Sequence, residues 1–80
     1  MENLKNYLDT LEKNVYICVY NGNNSFLCEG TITELRDNPF NRLWQLIEEE
    51  NREIESVGCG KSENGIDARI IVINLYPGMS

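Results

Sequence analysis

The sequence predicts a single α+β domain over residues 1–80: a four-stranded, mainly antiparallel sheet with two helices, in the order α-β-β-α-β-β. Three observations predict it. Two segments repeat apolar residues at i, i+3, i+4 and i+7, the period of one helix face. Residues 15–20 and 68–76 are runs of β-branched and aromatic residues, apolar on both faces. The stretches around Asn21-Gly22-Asn23-Asn24-Ser25 and Gly58, Gly60, Asn64 and Gly65 are dense in turn formers, and each leads directly into a strand-like run.

The first helix is expected over residues 2–12, with Leu4, Tyr7, Leu8 and Leu11 on its apolar face and Lys13 and Asn14 at its end. The strand at 15–20 then points Val15, Ile17 and Val19 one way and Tyr16, Cys18 and Tyr20 the other. A hairpin turn should return the chain along residues 26–31. Pairing Tyr20 with Phe26 across that turn brings Cys18 opposite Cys28. Thr31-Ile32-Thr33-Glu34 matches a capping box and predicts a short helical turn, which Asn38-Pro39 interrupts. Asn38 as N-cap and Pro39 at the first helical position open the second helix, with Phe40, Leu43, Trp44 and Ile47 facing inward. Its last turn, Glu48-Glu49-Glu50, opposes the helix dipole and should end it. Residues 52–57 are read as a strand. The final strand places Ile70 and Val72 on one face and Ile71, Ile73 and Leu75 on the other, and Pro77-Gly78 ends it.

Strands apolar on both faces belong at the centre of a sheet covered on both sides. The first and last strands are therefore the expected central pair, with the second and third at the edges. Two helices most simply cover one face. The other would display Tyr16, Cys18, Tyr20 and Phe26, a patch that a monomer rarely leaves open.

Composition narrows the function. Seven Lys and Arg against thirteen Asp and Glu give a net charge of −6, a poor footing for gripping a phosphate backbone. There is no histidine, the commonest general base and metal ligand. No apolar run approaches the roughly 20 residues of a membrane span. Three cysteines, Cys18, Cys28 and Cys59, form no even set for a secreted disulfide framework, and the first ten residues carry no apolar signal core. The expectation is a cytoplasmic protein with free thiols and no cofactor.

Each candidate for chemistry has a plainer reading. Gly60-Lys61-Ser62 resembles the end of a P-loop, but Glu55 stands where its first glycine is needed. No cysteines form a C-x-x-C pair for zinc. Cys59, between two glycines in an expected exposed loop near Lys61, could be reactive, but it lacks a base with an orienting partner. Glu48, Glu49, Glu50, Glu53 and Glu55 form a charge run in which nothing would split their pKa values for acid–base work. The chain is therefore not read as an enzyme.

Taken together, Asn3-Leu4-Lys5-Asn6-Tyr7-Leu8, the strand at 15–20, Glu29-Gly30-Thr31-Ile32-Thr33-Glu34-Leu35 and the closing strand at 70–76 resemble the short proteins encoded by phages and mobile elements of low-GC Gram-positive bacteria. The resemblance implies an accessory role, inhibition of host defence included, and assigns no functional residues. Two modes of action follow from the residues. The first is a non-catalytic protein-interaction module, binding a protein or a second copy of itself through Tyr16, Tyr20 and Phe26. The second is an anti-CRISPR-like acidic inhibitor, in which Glu48, Glu49, Glu50, Glu53 and Glu55 imitate phosphates and fill the nucleic-acid groove of a host enzyme. Neither mode involves direct nucleic-acid binding or a membrane.

Overall fold

Leu4 and Leu8 are buried, and the five-residue helix that carries them, α1 (Leu4–Leu8), is the first of three among the described residues. A computed structural model describes residues 2–74 of the chain. The remaining elements are β1 (Tyr16–Asn21), β2 (Phe26–Thr31), α2 (Ile32–Asp37), α3 (Arg42–Glu50), β3 (Ile54–Lys61) and β4 (Asp67–Ile73). Leu75, Tyr76, Pro77 and Gly78, expected at the end of the last strand, lie outside the described residues.

The four strands form one sheet in the order β2-β1-β4-β3, with β1 and β4 central as their two-sided apolar character requires. β1 pairs antiparallel with β2, and β3 with β4, while the central β1–β4 pair is parallel. The sheet is thus mixed rather than wholly antiparallel. Ile17 and Val19 from β1 and Ile71 and Ile73 from β4 bury against Leu4 and Leu8, Ile32 and Leu35, and Trp44 and Ile47. All three helices therefore supply core to the same face of the sheet.

Three local expectations are corrected. The capping-box turn at Thr31 is a helix in its own right: Thr31 Oγ1 accepts from the Glu34 N–H at 3.1 Å, so the described residues hold three helices and not two. The next helix is capped by Asn41, not by Asn38. Asn41 Oδ1 accepts from the Trp44 N–H at 3.0 Å, while Asn38 closes its own small turn on the Phe40 N–H. Phe40 consequently stands outside the helix and 89% exposed, whereas Leu43, Trp44 and Ile47 face the core as expected. α1 is shorter than residues 2–12, because Asn3 is extended and pairs with Glu53; Leu11 still reaches the core, through turns bonded i to i+3. α3 does stop at Glu50. Asn51 ends it in a left-handed conformation (φ 48°) and accepts the Lys5 N–H on its side chain, which ties α1 to the end of α3.

Both hairpins use the same connection, a tight turn closed by an i to i+3 bond and followed by one left-handed residue. That residue is Asn24 (φ 69°) after β1 and Gly65 (φ 78°) after β3. A Cβ on Gly65 would meet nothing within 4 Å, so its cost there is conformational alone. Gly65→Ala should lower stability by about 1–2 kcal/mol. Gly58→Ala, also without neighbours but at an ordinary strand φ, should not. Equilibrium urea unfolding of the two variants checks this.

Candidate functional site

The face of the sheet turned away from the helices is set by strand alternation. Cys18 lies opposite Ile70 and Glu29, and Tyr20 opposite Val72 and Phe26, so these residues share one surface. Tyr16 joins them from the start of β1. Tyr20 and Phe26 pack edge to face with ring centroids 5.9 Å apart. The sequence-predicted trio of Tyr16, Tyr20 and Phe26 thus does lie on one helix-free face.

That face is closed in part by an element the sequence did not point to. The turn between β3 and β4 folds over it and hydrogen-bonds to its polar rim. Tyr20 donates its hydroxyl to Glu63 Oε1 at 2.9 Å, Tyr16 donates to Glu29 Oε2 at 2.7 Å, and Asn64 Nδ2 donates to the same Glu29 oxygen at 3.0 Å. Ser62 anchors the turn, its hydroxyl accepting from the backbone N–H groups of Asn64 and Ile66. Phe26 and Ile66 remain 44% exposed, Tyr16 and Tyr20 are half-buried, and Cys18 is wholly covered.

The hydroxyl–carboxylate bonds set the local titration. Tyr16 donation holds the Glu29 carboxyl below its ordinary value, with burial opposing it. The same bond raises Tyr16, and the bond to Glu63 raises Tyr20.

Cys18 and Cys28 do not face one another. Tyr20 pairs with Phe26 as expected, but a β-bulge places Leu27 in β2 as an extra residue, so Cys28 pairs with Val19 and Glu29 with Cys18. A one-residue shift moves a side chain to the other face, and Cys28 points into the helix-side core. Burial pushes the Cys28 thiol up to about 12 and raises Cys18 as well, so neither is a ready nucleophile. Cys59 is exposed but lies within β3, not in a loop, because that strand runs through Gly58 and Gly60 to Lys61. The Gly60-Lys61-Ser62 stretch is accordingly the end of a strand, without the helix a P-loop needs.

The five carboxylates are spread from α3 through the connecting residues into β3 and are partly neutralised. Glu48 accepts from Arg36 of α2, with nitrogen–oxygen distances of 3.1–3.2 Å, and Glu50 pairs with Arg52 at 3.1 Å. Glu49 is exposed on α3. Glu53 and Glu55 are exposed along the β3 edge, and Glu55 Oε2 would lie 2.7 Å from a Cβ at Gly22. Among the described residues no group of three or more His, Cys, Asp or Glu side chains could hold a metal ion, and no helix is long and apolar enough to cross a membrane. An open groove of about 490 Å³ lies at the start of β1 and β4, lined by Val15, Tyr16, Cys59, Gly60, Asp67, Ala68 and Arg69.

Two measurements check this geometry. In the folded protein one thiol per chain, Cys59, should react promptly with an aromatic disulfide reagent, and all three only after unfolding; an internal Cys18–Cys28 bond under mild oxidation would contradict the bulged register. The lowered Glu29 pKa contributes stability that is complete above the ordinary carboxylate value of about 4.3 and is lost as pH falls through the lowered one. Tyr16→Phe should raise the Glu29 pKa toward that ordinary value in an NMR titration.

Compared with protein-family models, with curated proteins and with solved structures, the chain matches none of them.

Proposed function

We propose that the chain is a non-catalytic protein-interaction module, an accessory protein of a phage or mobile element, which binds a protein partner through the helix-free face of its sheet. One observation carries this reading. Among the described residues, all three helices pack on one face, and the opposite face sets Tyr16, Tyr20 and Phe26 beside Ile70 and Val72 with only the turn between β3 and β4 laid over them. One exposed and two half-buried aromatic side chains beside partly covered aliphatic ones, rimmed by carboxylates, are the make-up of a contact patch. Burial raises the Cys18 and Cys28 thiols, which argues against either as a thiolate nucleophile, and three free thiols suit a reducing cytoplasm.

The acidic-inhibitor reading has narrower support. Arg36 and Arg52 occupy Glu48 and Glu50, which leaves Glu49, Glu53 and Glu55 to imitate phosphates.

Affinity capture from cell lysate tests both readings. Phe26→Glu and Tyr20→Glu each bury an unpaired charge in the patch and should cut capture of the partner about tenfold or more. The double variant Glu49→Lys, Glu53→Lys should leave it unchanged. The opposite pattern, with binding that falls steeply with salt and is displaced by DNA, would transfer the function to the acidic surface.

A further inference from the structure

We propose that β3 is a self-pairing edge: two copies of the chain join antiparallel through β3, centred on Gly58, into one eight-stranded sheet. This goes beyond the sheet-face reading and does not rest on it, since it concerns the edge of the sheet and not its face.

β3 ends the strand order, and residues 55–61 are all exposed. Among the described residues only Glu2 and Asn3 lie along its outer side. There the Ile54 N–H donates to the Glu2 carbonyl and the Leu4 N–H to the Arg52 carbonyl. At the far end the chain turns away, the Ser62 N–H bonding to the Ile66 carbonyl. Because the backbone groups of an antiparallel pair alternate in direction, the Ser62 bond fixes the rest. Gly60 and Gly58 bond inward to β4, and the N–H and C=O groups of Lys61, Cys59 and Val57 point outward. A long edge with free outward groups is a template for another strand, and proteins ordinarily blunt such edges with charge, proline or a bulge. Here Ser56 to Gly60 carry neither charge nor proline, and the β3 bulge lies before them, between Ile54 and Ser56. The other edge, β2, is bulged at Leu27 and runs directly into α2.

The occupant is identified by symmetry and by where the edge is blocked, at Asn3 on one side and at the Ser62 turn on the other. The open segment, 55–61, has Gly58 at its middle, so a second copy of β3 fills it from end to end. Val57 then exchanges hydrogen bonds with the partner's Cys59, and each Lys61, paired with Asp67 of its own chain at 2.6 Å, ends beside the partner's bulge at Glu55. Shifting the centre to Val57 would drive the second strand into Asn3 at Glu53. Shifting it to Cys59 would put Lys61 against the partner's Val57 and leave Glu55 without a partner strand. At the centre the two glycines present no side chain, and nothing lies within 4 Å of where a Gly58 Cβ would be.

The test is sedimentation velocity of the full chain in reductant, from about 10 µM to about 1 mM, the range in which a small strand-edge interface associates. The wild-type chain should dimerise with rising concentration, and so should Phe26→Glu. Val57→Pro removes an outward N–H only, leaving the ladder to β4 intact, and should stay monomeric with an unchanged circular dichroism spectrum. Independently, Gly58→Cys in a Cys59→Ser background should form an interchain disulfide with oxidised glutathione. The non-hydrogen-bonded pair at the symmetry centre sets Cα atoms about 4.5 Å apart, within disulfide reach. Phe40→Cys in the same background, at an 89% exposed site, is the control for random collision. A wild-type chain that is monomeric throughout overturns the proposal. So does a Gly58→Cys yield no higher than the control, whatever Val57→Pro does. A dimer lost in Phe26→Glu but kept in Val57→Pro also overturns it, and places self-association on the sheet face.

Discussion

The fold depends on the parallel pairing of β1 with β4. Each hairpin alone is a two-stranded ribbon, marginal in water at best. The Ile17–Asn21 and Arg69–Ile73 segments join them, and only when joined do Ile17, Val19, Ile71 and Ile73 make one apolar surface. Trp44 and Ile47 from α3, Ile32 and Leu35 from α2, and Leu4 and Leu8 from α1 then close over it. Because the two central strands run parallel, the connection between them must cross from one end of the sheet to the other. α2 and α3 lie within that connection, which places them where the core needs cover.

The same arrangement divides the molecule into surfaces of different character. Helices exclude water from one face. The other is closed by a short turn held through hydroxyl–carboxylate bonds, with Glu29 and Glu63 as acceptors. This face is thus covered through polar contacts where the other is covered by packed apolar side chains. The β3 edge is a third surface, where the backbone itself and not the side chains is available.

Much of this was legible in the sequence, and the remainder failed for physical reasons. Hydrophobic period found the core face of α3, and two-sided apolar runs placed β1 and β4 at the centre, because burial dictates both patterns. Turn chemistry fixed the direction of strands within each hairpin, but no local signal sets one hairpin's direction against the other, so the parallel central pair was not readable. The bulge at Leu27 was equally silent. One extra residue moves Cys28 from the side of Cys18 into the core, and nothing in Phe26-Leu27-Cys28 distinguishes the two registers. Asn38 and Asn41 each carry cap chemistry three residues apart, and only the packing of Trp44 decides which begins the helix. Tyr16, Tyr20 and Phe26 share one face of the sheet, as alternation and turn pairing predict. Their partners Glu29, Glu63 and Asn64 were missed, because a turn folding back over a sheet leaves no period to detect.

The position of Trp44 has a practical consequence. The only tryptophan of the chain is fully buried on the helix side of the sheet, with the plane of the β-sheet between it and the face bearing Tyr20 and Phe26. Its emission therefore follows the integrity of the core and is shielded from events on that face and along the outer edge of β3. Intrinsic fluorescence thus serves as an internal fold reporter: a variant with native emission that has lost association has been altered at its surface, whereas one with red-shifted emission has lost its core.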